Sequence, residues 1–143
     1  MLFTRSDEYA IRALTFLARQ PAGRLVGARE ISQAEAIPMQ YLWKILHTLA
    51  QRRLIRSFKG LRGGYELAQP AKKLTLAMVL QATGSGDRLE RCILGLPECS
   101  DEHACPLHEK WKDLRSGMAE MLATSTLADL ASMAQERTHA GKE

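Results

Sequence analysis

The sequence predicts a mainly α-helical protein with one small β-hairpin, arranged as a winged helix-turn-helix with a long C-terminal dimerisation helix. Three observations support this fold class. Apolar residues recur with helical spacing between short breaks in the first half of the chain. A glycine-rich tip then separates two β-prone runs, which is typical of a hairpin. A second stretch of helical periodicity follows a segment that holds all three cysteines.

Composition favours one compact globular domain with an appended helix, because the 143 residues are 45% hydrophobic and 25% charged. The formal net charge of +4 suits a nucleic-acid partner but does not require one, so the placement of charge must decide. No run approaches the ~20 apolar residues of a membrane span, and the first residues lack a signal-peptide layout. We therefore expect a cytoplasmic protein without a membrane partner. In that reducing compartment three cysteines indicate metal, cluster or thiol chemistry.

The first helix is predicted from Ser6, which can serve as its N-cap, with Asp7 and Glu8 in the first turn. Residues 21–24 break it, and a short helix begins near Ala28. Pro38 then occupies the favoured first position of a longer helix. The apolar stripe of this helix consists of Leu42, Ile45, Leu46 and Leu49.

The predicted hairpin joins residues 54–59 to residues 64–67, and Tyr65 is expected to pack this wing onto the domain. Thr75 caps a further short helix, and a long helix runs from about Pro106 to about Ala123. Thr126 opens a short final helix with a capping-box pattern. The predicted divisions are a DNA-binding domain at 1–83, a cysteine loop at 84–105, the long and final helices at 106–135, and a polar tail at 136–143.

This order of elements predicts DNA binding, because a major groove admits one α-helix while the hairpin tip reaches a neighbouring groove or the backbone. The expected contacts to a double-stranded operator are Met39, Gln40, Tyr41, Trp43 and Lys44 on the helix, and Arg56, Ser57, Lys59, Gly60, Arg62, Gly63 and Gly64 on the wing. The alternative is a solvated hairpin with ordinary surface charges. For Trp43 two interpretations stay open, namely contact with sugar or a thymine methyl, or core packing beneath the wing.

Four segments of the chain resemble one family of bacterial transcription regulators: EYAIRAL, YLWKIL, RGGYEL and the cysteine loop that ends in CPLHEKW. It is the Rrf-two (Rrf2) family, which includes IscR, NsrR and RirA, and the resemblance covers about residues 2–131. It implies a homodimer whose long C-terminal helices cross to the partner. It also implies an iron–sulfur cluster, 2Fe–2S or 4Fe–4S, near the dimer surface. Two departures are the six-residue first cysteine gap, where five is usual, and Trp43 in place of a familiar acidic residue.

Cys92, Cys99 and Cys105 are the expected thiolate ligands of this cluster, with six and five residues between them. Three thiolates leave one coordination position open. His108 is the preferred fourth ligand, because a residue three places after Cys105 in a helix can lie on the same face. The alternative is Glu8 or Asp7, which family analogy would deliver from the partner subunit.

The apolar stripe on the long helix supports a homodimer independently of the resemblance. A helix projecting from a small domain would expose this stripe, and a second subunit would bury it. The stripe consists of Leu107, Trp111, Leu114, Met118, Met121 and Leu122. The alternative is that the helix folds back on its own domain.

Three other functions stay open at this level. A structural zinc site with three cysteines and one histidine would keep DNA binding without cluster chemistry. A metal-free thiol switch would use the same cysteines. An iron–sulfur electron carrier could use the same cysteine loop, but it would not need Arg56, Lys59 and Arg62 on a wing. An enzyme acting on a small-molecule substrate is not expected, because the sequence contains no P-loop, G-x-S-x-G or H-E-x-x-H motif.

Overall fold

The computed structural model describes residues 3–140, with side chains described through Met133. Within these residues the predicted order of elements is confirmed. The elements are α1 (Arg5–Ala18), α2 (Ala28–Glu35), α3 (Met39–Gln51), β1 (Ile55–Phe58), β2 (Gly64–Leu67), α4 (Leu76–Thr83), α5 (His108–Thr124) and α6 (Leu127–Ala140). Short 3₁₀ turns precede and follow α4, at Ala71–Lys73 and Gly86–Glu90.

The start of α1 differs from the prediction, because Thr4 and not Ser6 is its N-cap. The Thr4 backbone is extended, and its hydroxyl accepts from the Asp7 amide at 3.1 Å. In return the Asp7 carboxylate accepts from the Thr4 amide at 2.7 Å. This reciprocal pair is a capping box, so Ser6 lies exposed inside the first turn.

The helix-turn-helix consists of α2 and α3, and Ala36 makes the turn between them in a left-handed conformation. The sequence predicted Pro38 as the first residue of α3, but Pro38 is the N-cap and the helix begins at Met39. The stripe of Leu42, Ile45, Leu46 and Leu49 is buried as expected. Met39, which was expected to contact the operator, is less accessible than the other predicted contacts on α3. It packs half-buried against the core, because the side chain of a first helical residue lies back over the preceding turn.

The wing is an antiparallel hairpin in which Ile55 pairs with Leu67 and Phe58 with Gly64. Its second strand is joined to the domain through Val26. The Val26 amide donates to the Tyr65 carbonyl at 3.0 Å, and the Tyr65 amide donates to the Val26 carbonyl at 2.8 Å. The Tyr65 side chain packs against the core as predicted, so the wing root is held firmly on the domain.

The last helix returns to the DNA-binding domain. The amide of Leu127 donates to the carbonyl of Leu74 at 2.8 Å, and the Leu127 side chain is fully buried in the same core as α1 and α3. Thr126 and Asp129 form the predicted capping box. The helix continues to Ala140, further than the short helix expected, so residues 136–140 of the predicted tail are helical and residues 141–143 lie outside the described residues.

The long helix α5 contacts its own chain mainly through α4 and the turn at Gly86–Glu90. The cysteine loop lies between that turn and α5. Among residues 3–140, we find no helix with the length and apolar character needed to cross a membrane.

Candidate functional site

The exposed face of α3 carries side chains that can reach a ligand outside the domain. Gln40 and Lys44 are exposed, and Tyr41 and Trp43 keep 49% and 53% of their surface accessible. Core packing of Trp43 beneath the wing is therefore excluded within this chain. A large aromatic side chain left exposed beside a lysine is suited to contact a sugar, a base or a thymine methyl.

Helix α1 contributes residues to this face that the sequence analysis missed. The Tyr9 ring lies 6.3 Å from the Tyr41 ring, and the Arg12 guanidinium lies 5.0 Å from the centre of the Tyr9 ring. Arg5 lies 6.0 Å from the same ring. The spacing of Arg5, Tyr9 and Arg12, four and three residues apart, was a detectable signal because it places all three on one helical face.

The wing exposes Arg56, Ser57, Lys59, Gly60 and Arg62, as predicted. Arg56 forms an ion pair with Glu66 at 3.2 Å near the root of the wing. The α3 face and the wing thus present hydrogen-bond donors and cations on adjoining elements, which suits contact with phosphates and base edges.

Gly63 and Gly64 are required by the chain itself, which the sequence analysis did not anticipate. A Cβ at Gly63 would overlap the Phe58 carbonyl group. Gly64 is buried, has a φ of +151°, and a Cβ there would lie 2.8 Å from the Val26 carbonyl oxygen. Gly64 therefore lies at a packing contact and not on the open surface of the tip, since only glycine combines that φ with that close approach.

The three cysteines and His108 lie in two close pairs. The Sγ atoms of Cys92 and Cys105 are 3.8 Å apart, and the Sγ of Cys99 is 3.6 Å from the Nδ1 of His108. Cys92 and His108 are buried, and the other two cysteines are partly exposed. The structure thus pairs each predicted thiolate ligand with another predicted donor at the start of α5.

His108 is oriented by Asp101, which the sequence analysis did not single out. Its Nε2 lies 2.9 Å from the Oδ1 of Asp101. The His108 contact, and next to it the ammonium group of Lys112 at 3.2 Å, hold the pKa of Asp101 below its ordinary value. A carboxylate only accepts, so Nε2 donates, and in the neutral ring Nδ1 keeps its lone pair toward Cys99. This is the geometry of a histidine ligand fixed by an outer carboxylate.

Backbone amides favour the thiolate form of Cys92, and a guanidinium group contacts Cys99. The Arg115 guanidinium donates to the Cys99 Sγ at 3.4 Å. Backbone amides of Leu96 and Leu94 lower the pKa of Cys92, against an opposing contribution from burial. Metals and clusters bind thiolates, so the lowered pKa of Cys92 favours ligation or redox chemistry at its sulfur atom.

Trp111 attaches the cysteine loop to α5. Its indole Nε1 donates to the Arg91 carbonyl at 3.0 Å, immediately before Cys92. The first cysteine is thereby held against the helix that begins just after the third.

The two carboxylates considered as alternative ligands occupy different environments. Asp7 is fully buried, and its oxygens accept from the Ser85 hydroxyl at 2.8 and 2.9 Å and from the Thr83 hydroxyl at 2.6 Å. Both oxygens are thus engaged inside the chain, which leaves Asp7 unavailable to a partner's cluster in this conformation. Glu8 is partly exposed, and its nearest cation is Arg5 at 3.9 Å.

The predicted dimerisation stripe on α5 is largely exposed in the single chain. Leu107, Leu114 and Met121 are exposed, and Trp111 and Met118 are half-buried. Leu122 departs from the prediction. It is buried within its own chain where α5 contacts α4, so it is not available to a second subunit.

Comparison with known proteins finds one family model and several relatives named as transcriptional regulators. The model of the Rrf2 family, described as "Iron-dependent Transcriptional regulator", matches residues 3–133. A protein of Aquifex aeolicus named as an HTH-type transcriptional regulator is 33% identical over 95% of both chains. One from Mycobacterium tuberculosis, similarly named, is 38% identical over 92% of this chain and 81% of its own length.

Two solved structures share the architecture. CymR (YrzC), described as the global cysteine regulator of B. subtilis, superposes with a TM-score of 0.79 at 21% identity, over 92% of this chain and 96% of its own. T. potens IscR superposes with a TM-score of 0.74 at 20% identity, over 94% of this chain and 89% of its own. At these identities the likenesses establish the fold alone.

Proposed function

Since the chain belongs to the Rrf2 family of transcriptional regulators and has their DNA-binding fold, we propose that an iron–sulfur cluster bound through Cys92, Cys99 and Cys105 sets its affinity for operator DNA. The observation that carries the proposal is the convergence of sulfur and imidazole donors at the start of α5, in pairs 3.8 and 3.6 Å apart. Cysteine thiolates are the usual ligands of iron–sulfur clusters, and histidine replaces them in some.

The donor set fits such a group. His108 is the proposed fourth ligand, because Asp101 directs its Nδ1 toward Cys99. Arg115 offsets negative charge at Cys99. A bound cluster, 2Fe–2S or 4Fe–4S, supplies a redox-active and chemically labile centre. The protein's part is to hold four ligands at the junction of a loop and a helix that borders the DNA-binding domain.

Contacts between the loop and α1 support coupling of this site to DNA. Ser85 and Thr83 donate to the Asp7 carboxylate, which is also the acid of the α1 capping box. Helix α1 packs against α3, and its Tyr9 ring adjoins Tyr41 on the DNA-facing side. A change in the loop that moves Ser85 would therefore alter how α1 packs against α3, the helix proposed to enter the major groove. Such a differential contact is what a two-state coupling requires.

The DNA site proposed is the exposed face of α3 together with the wing. Gln40, Tyr41, Trp43 and Lys44 would read the major groove, and Arg56, Ser57, Lys59 and Arg62 would contact the backbone. A homodimer formed through the exposed α5 stripe would present two such sites to a symmetric operator.

A metal-free thiol switch is the second candidate, and the Cys92–Cys105 separation favours it specifically. A disulfide needs an S–S distance of about 2.05 Å, so the 3.8 Å separation requires a shift of roughly 2 Å. Oxidation would release two protons and pass two electrons to an oxidant such as a disulfide or peroxide. A zinc ion held by the three cysteines and His108 is a further alternative with the same donors.

Anaerobic purification of the full chain, with absorption spectra, iron and acid-labile sulfide assays and zinc analysis, separates these candidates. The cluster predicts brown protein with iron and sulfide in similar amounts, bleached in Cys99→Ala and retained in the neighbouring Ser100→Ala. Operator affinity should then differ between cluster-bound and cluster-free protein. Colourless protein that resists anaerobic reconstitution would contradict the cluster. Zinc, or a Cys92–Cys105 disulfide after mild oxidation, would support the corresponding alternative.

A further inference from the structure

The tip of the wing carries a leucine that no other described residue covers. Leu61 is fully exposed, at 107% of its reference surface, more than any other large apolar side chain described. It is a central residue of the turn Gly60–Gly63, which the Gly63 amide closes by donating to the Gly60 carbonyl at 3.0 Å. Turns favour Gly, Asn, Asp, Ser and Pro, so the turn does not itself require a leucine here.

The charge around Leu61 matches a polyanion. Residues 52–65 include five basic side chains and no acidic one. Lys59 and Arg62 flank the leucine, and both are exposed. The nearest carboxylate in sequence, Glu66, is at the root of the hairpin and paired with Arg56 at 3.2 Å. An apolar tip between two cations is suited to a nucleic acid, in which apolar groove surfaces lie between phosphate rows.

The dimensions of the tip suit a minor groove. The last strand pair is Phe58 with Gly64, which leaves residues 59–63 beyond the sheet. About two residues on each side, at ~3.3 Å each, project the tip roughly 7 Å. The minor groove is about 6 Å wide and 7.5 Å deep, so it admits one side chain at a tip but excludes a two-stranded ribbon.

We propose that Leu61 enters the minor groove next to the α3 site and wedges against a base step, with Lys59 and Arg62 on the flanking phosphates. The proposal rests on the proposed DNA-binding function and deepens it by naming a residue that determines specificity. Apolar side chains are used in this way to open and kink base steps. Pyrimidine–purine steps deform most easily, so Leu61 selects operators with such a step beneath the wing.

The test uses a duplex selected from a random library by the full-length wild-type chain. Leu61→Ala should weaken binding of this duplex about tenfold, because a buried leucine contact is lost. The salt dependence should stay unchanged, because leucine releases no counterions, whereas Arg62→Ala should reduce the salt slope by about one. Leu61→Met should restore most of the affinity. Met133→Ala, at another exposed apolar residue, should bind as the wild type does.

A second readout reports the wedge directly. We expect 2-aminopurine at the step beneath the wing to brighten on binding of wild-type protein and not on binding of Leu61→Ala. Equal affinity and equal fluorescence for the two proteins would overturn the Leu61 proposal while leaving DNA binding in place. Failure of the wild type to select any duplex would overturn the proposed function, and the Leu61 proposal with it.

Discussion

Asp101 controls which nitrogen of His108 faces the sulfur atoms. The carboxylate accepts from Nε2 at 2.9 Å, and Nδ1 is left 3.6 Å from the Cys99 Sγ. Asp101 is the hydrogen-bond acceptor described for His108 Nε2, so without it nothing in the described contacts would hold the ring in this tautomer and orientation. The orientation of this one ring thus depends on a side chain seven positions away in the loop.

Asp101→Ala is expected to weaken metal or cluster retention about tenfold or more, in line with the loss of other outer-shell carboxylates. Iron and sulfide per chain after anaerobic desalting are the measurement. Asp113→Ala, at an exposed carboxylate on α5, is the matched control and should retain the wild-type content. Equal retention in both variants would remove Asp101 from the site.

The spacing of the cysteines and of His108 was sufficient to nominate them as ligands, because a helical offset of three is a local property. Asp101 and Arg115 could not be nominated in the same way. Asp101 lies in an irregular loop. Arg115 lies on α5 and contacts Cys99, which is sixteen positions earlier in the sequence. Their roles depend on how the loop folds over the helix.

At the scale of the elements, Asp7 joins three of them. Its carboxylate accepts from the Thr4 amide at the start of α1, from Thr83 at the end of α4 and from Ser85 just before the following turn. It is one of few buried charged side chains, and its hydrogen bonds offset the cost of that burial. The sequence correctly placed Asp7 in the first turn of α1, but the partners 76 and 78 positions away were beyond local rules.

Asp7→Ala is expected to lower the free energy of unfolding by about 3 kcal/mol, since it removes the acid of the α1 capping box and leaves the buried Ser85 hydroxyl without its acceptor. Asp129→Ala removes the corresponding acid of the α6 capping box, which is exposed, and should cost about 1 kcal/mol. Urea denaturation of both variants is the measurement. Equal losses would mean that the contacts to Thr83 and Ser85 contribute nothing.

The same network predicts a pH dependence. Burial raises the pKa of Asp7, but hydrogen bonds from Thr83, Thr4 and Ser85 outweigh it, and the pKa is lowered overall. A carboxyl group whose pKa is lowered by folding stabilises the folded state, and this contribution is fully present at pH values above the unfolded-state pKa of about 3.9. That contribution is lost as the pH falls through the folded value. The difference in unfolding free energy between the wild type and Asp7→Ala should therefore decrease below about pH 4. A difference that does not change with pH would contradict the lowered pKa of Asp7.

The wing offers a matched pair of glycines for testing how its position is held. Gly60 and Gly64 both have positive φ, but a Cβ at Gly60 would meet nothing within 4 Å, whereas one at Gly64 would lie 2.8 Å from the Val26 carbonyl oxygen. Gly64→Ala should therefore cost about 2 kcal/mol more unfolding free energy than Gly60→Ala, because it adds overpacking to backbone strain. Thermal and urea unfolding of the two variants provide the comparison. A larger loss at Gly60 would contradict the contact with Val26.

At the scale of the whole molecule, α5 is the element whose apolar side is incompletely covered by its own chain. Leu114 is 63% exposed, Met121 is exposed on the same helix, and Leu107 is exposed immediately before it. By contrast α6, which follows it, returns to the core through Leu127. The proposed dimer would cover α5 and place two DNA-binding faces on one particle.

Leu114→Glu is expected to convert a dimer into a monomer at micromolar concentration, because it places a charge in a desolvated apolar contact. Sedimentation equilibrium against wild-type protein measures the mass. Leu61→Glu is the control, since the wing tip lies apart from α5 in the fold and the mass should not change. A wild-type protein with the mass of one chain would contradict the dimer.

Local rules in the sequence determined the order of the helices and hairpin, the buried stripe of α3 and the capping box at Thr126. Each of these depends on residues within a few positions of one another, where backbone propensity and helical periodicity act directly. Only the tertiary structure decided which groups those residues meet. It brought Ser85 to Asp7, Tyr9 to Tyr41, Asp101 to His108 and α6 to the core, because such contacts form when distant segments bury surface together.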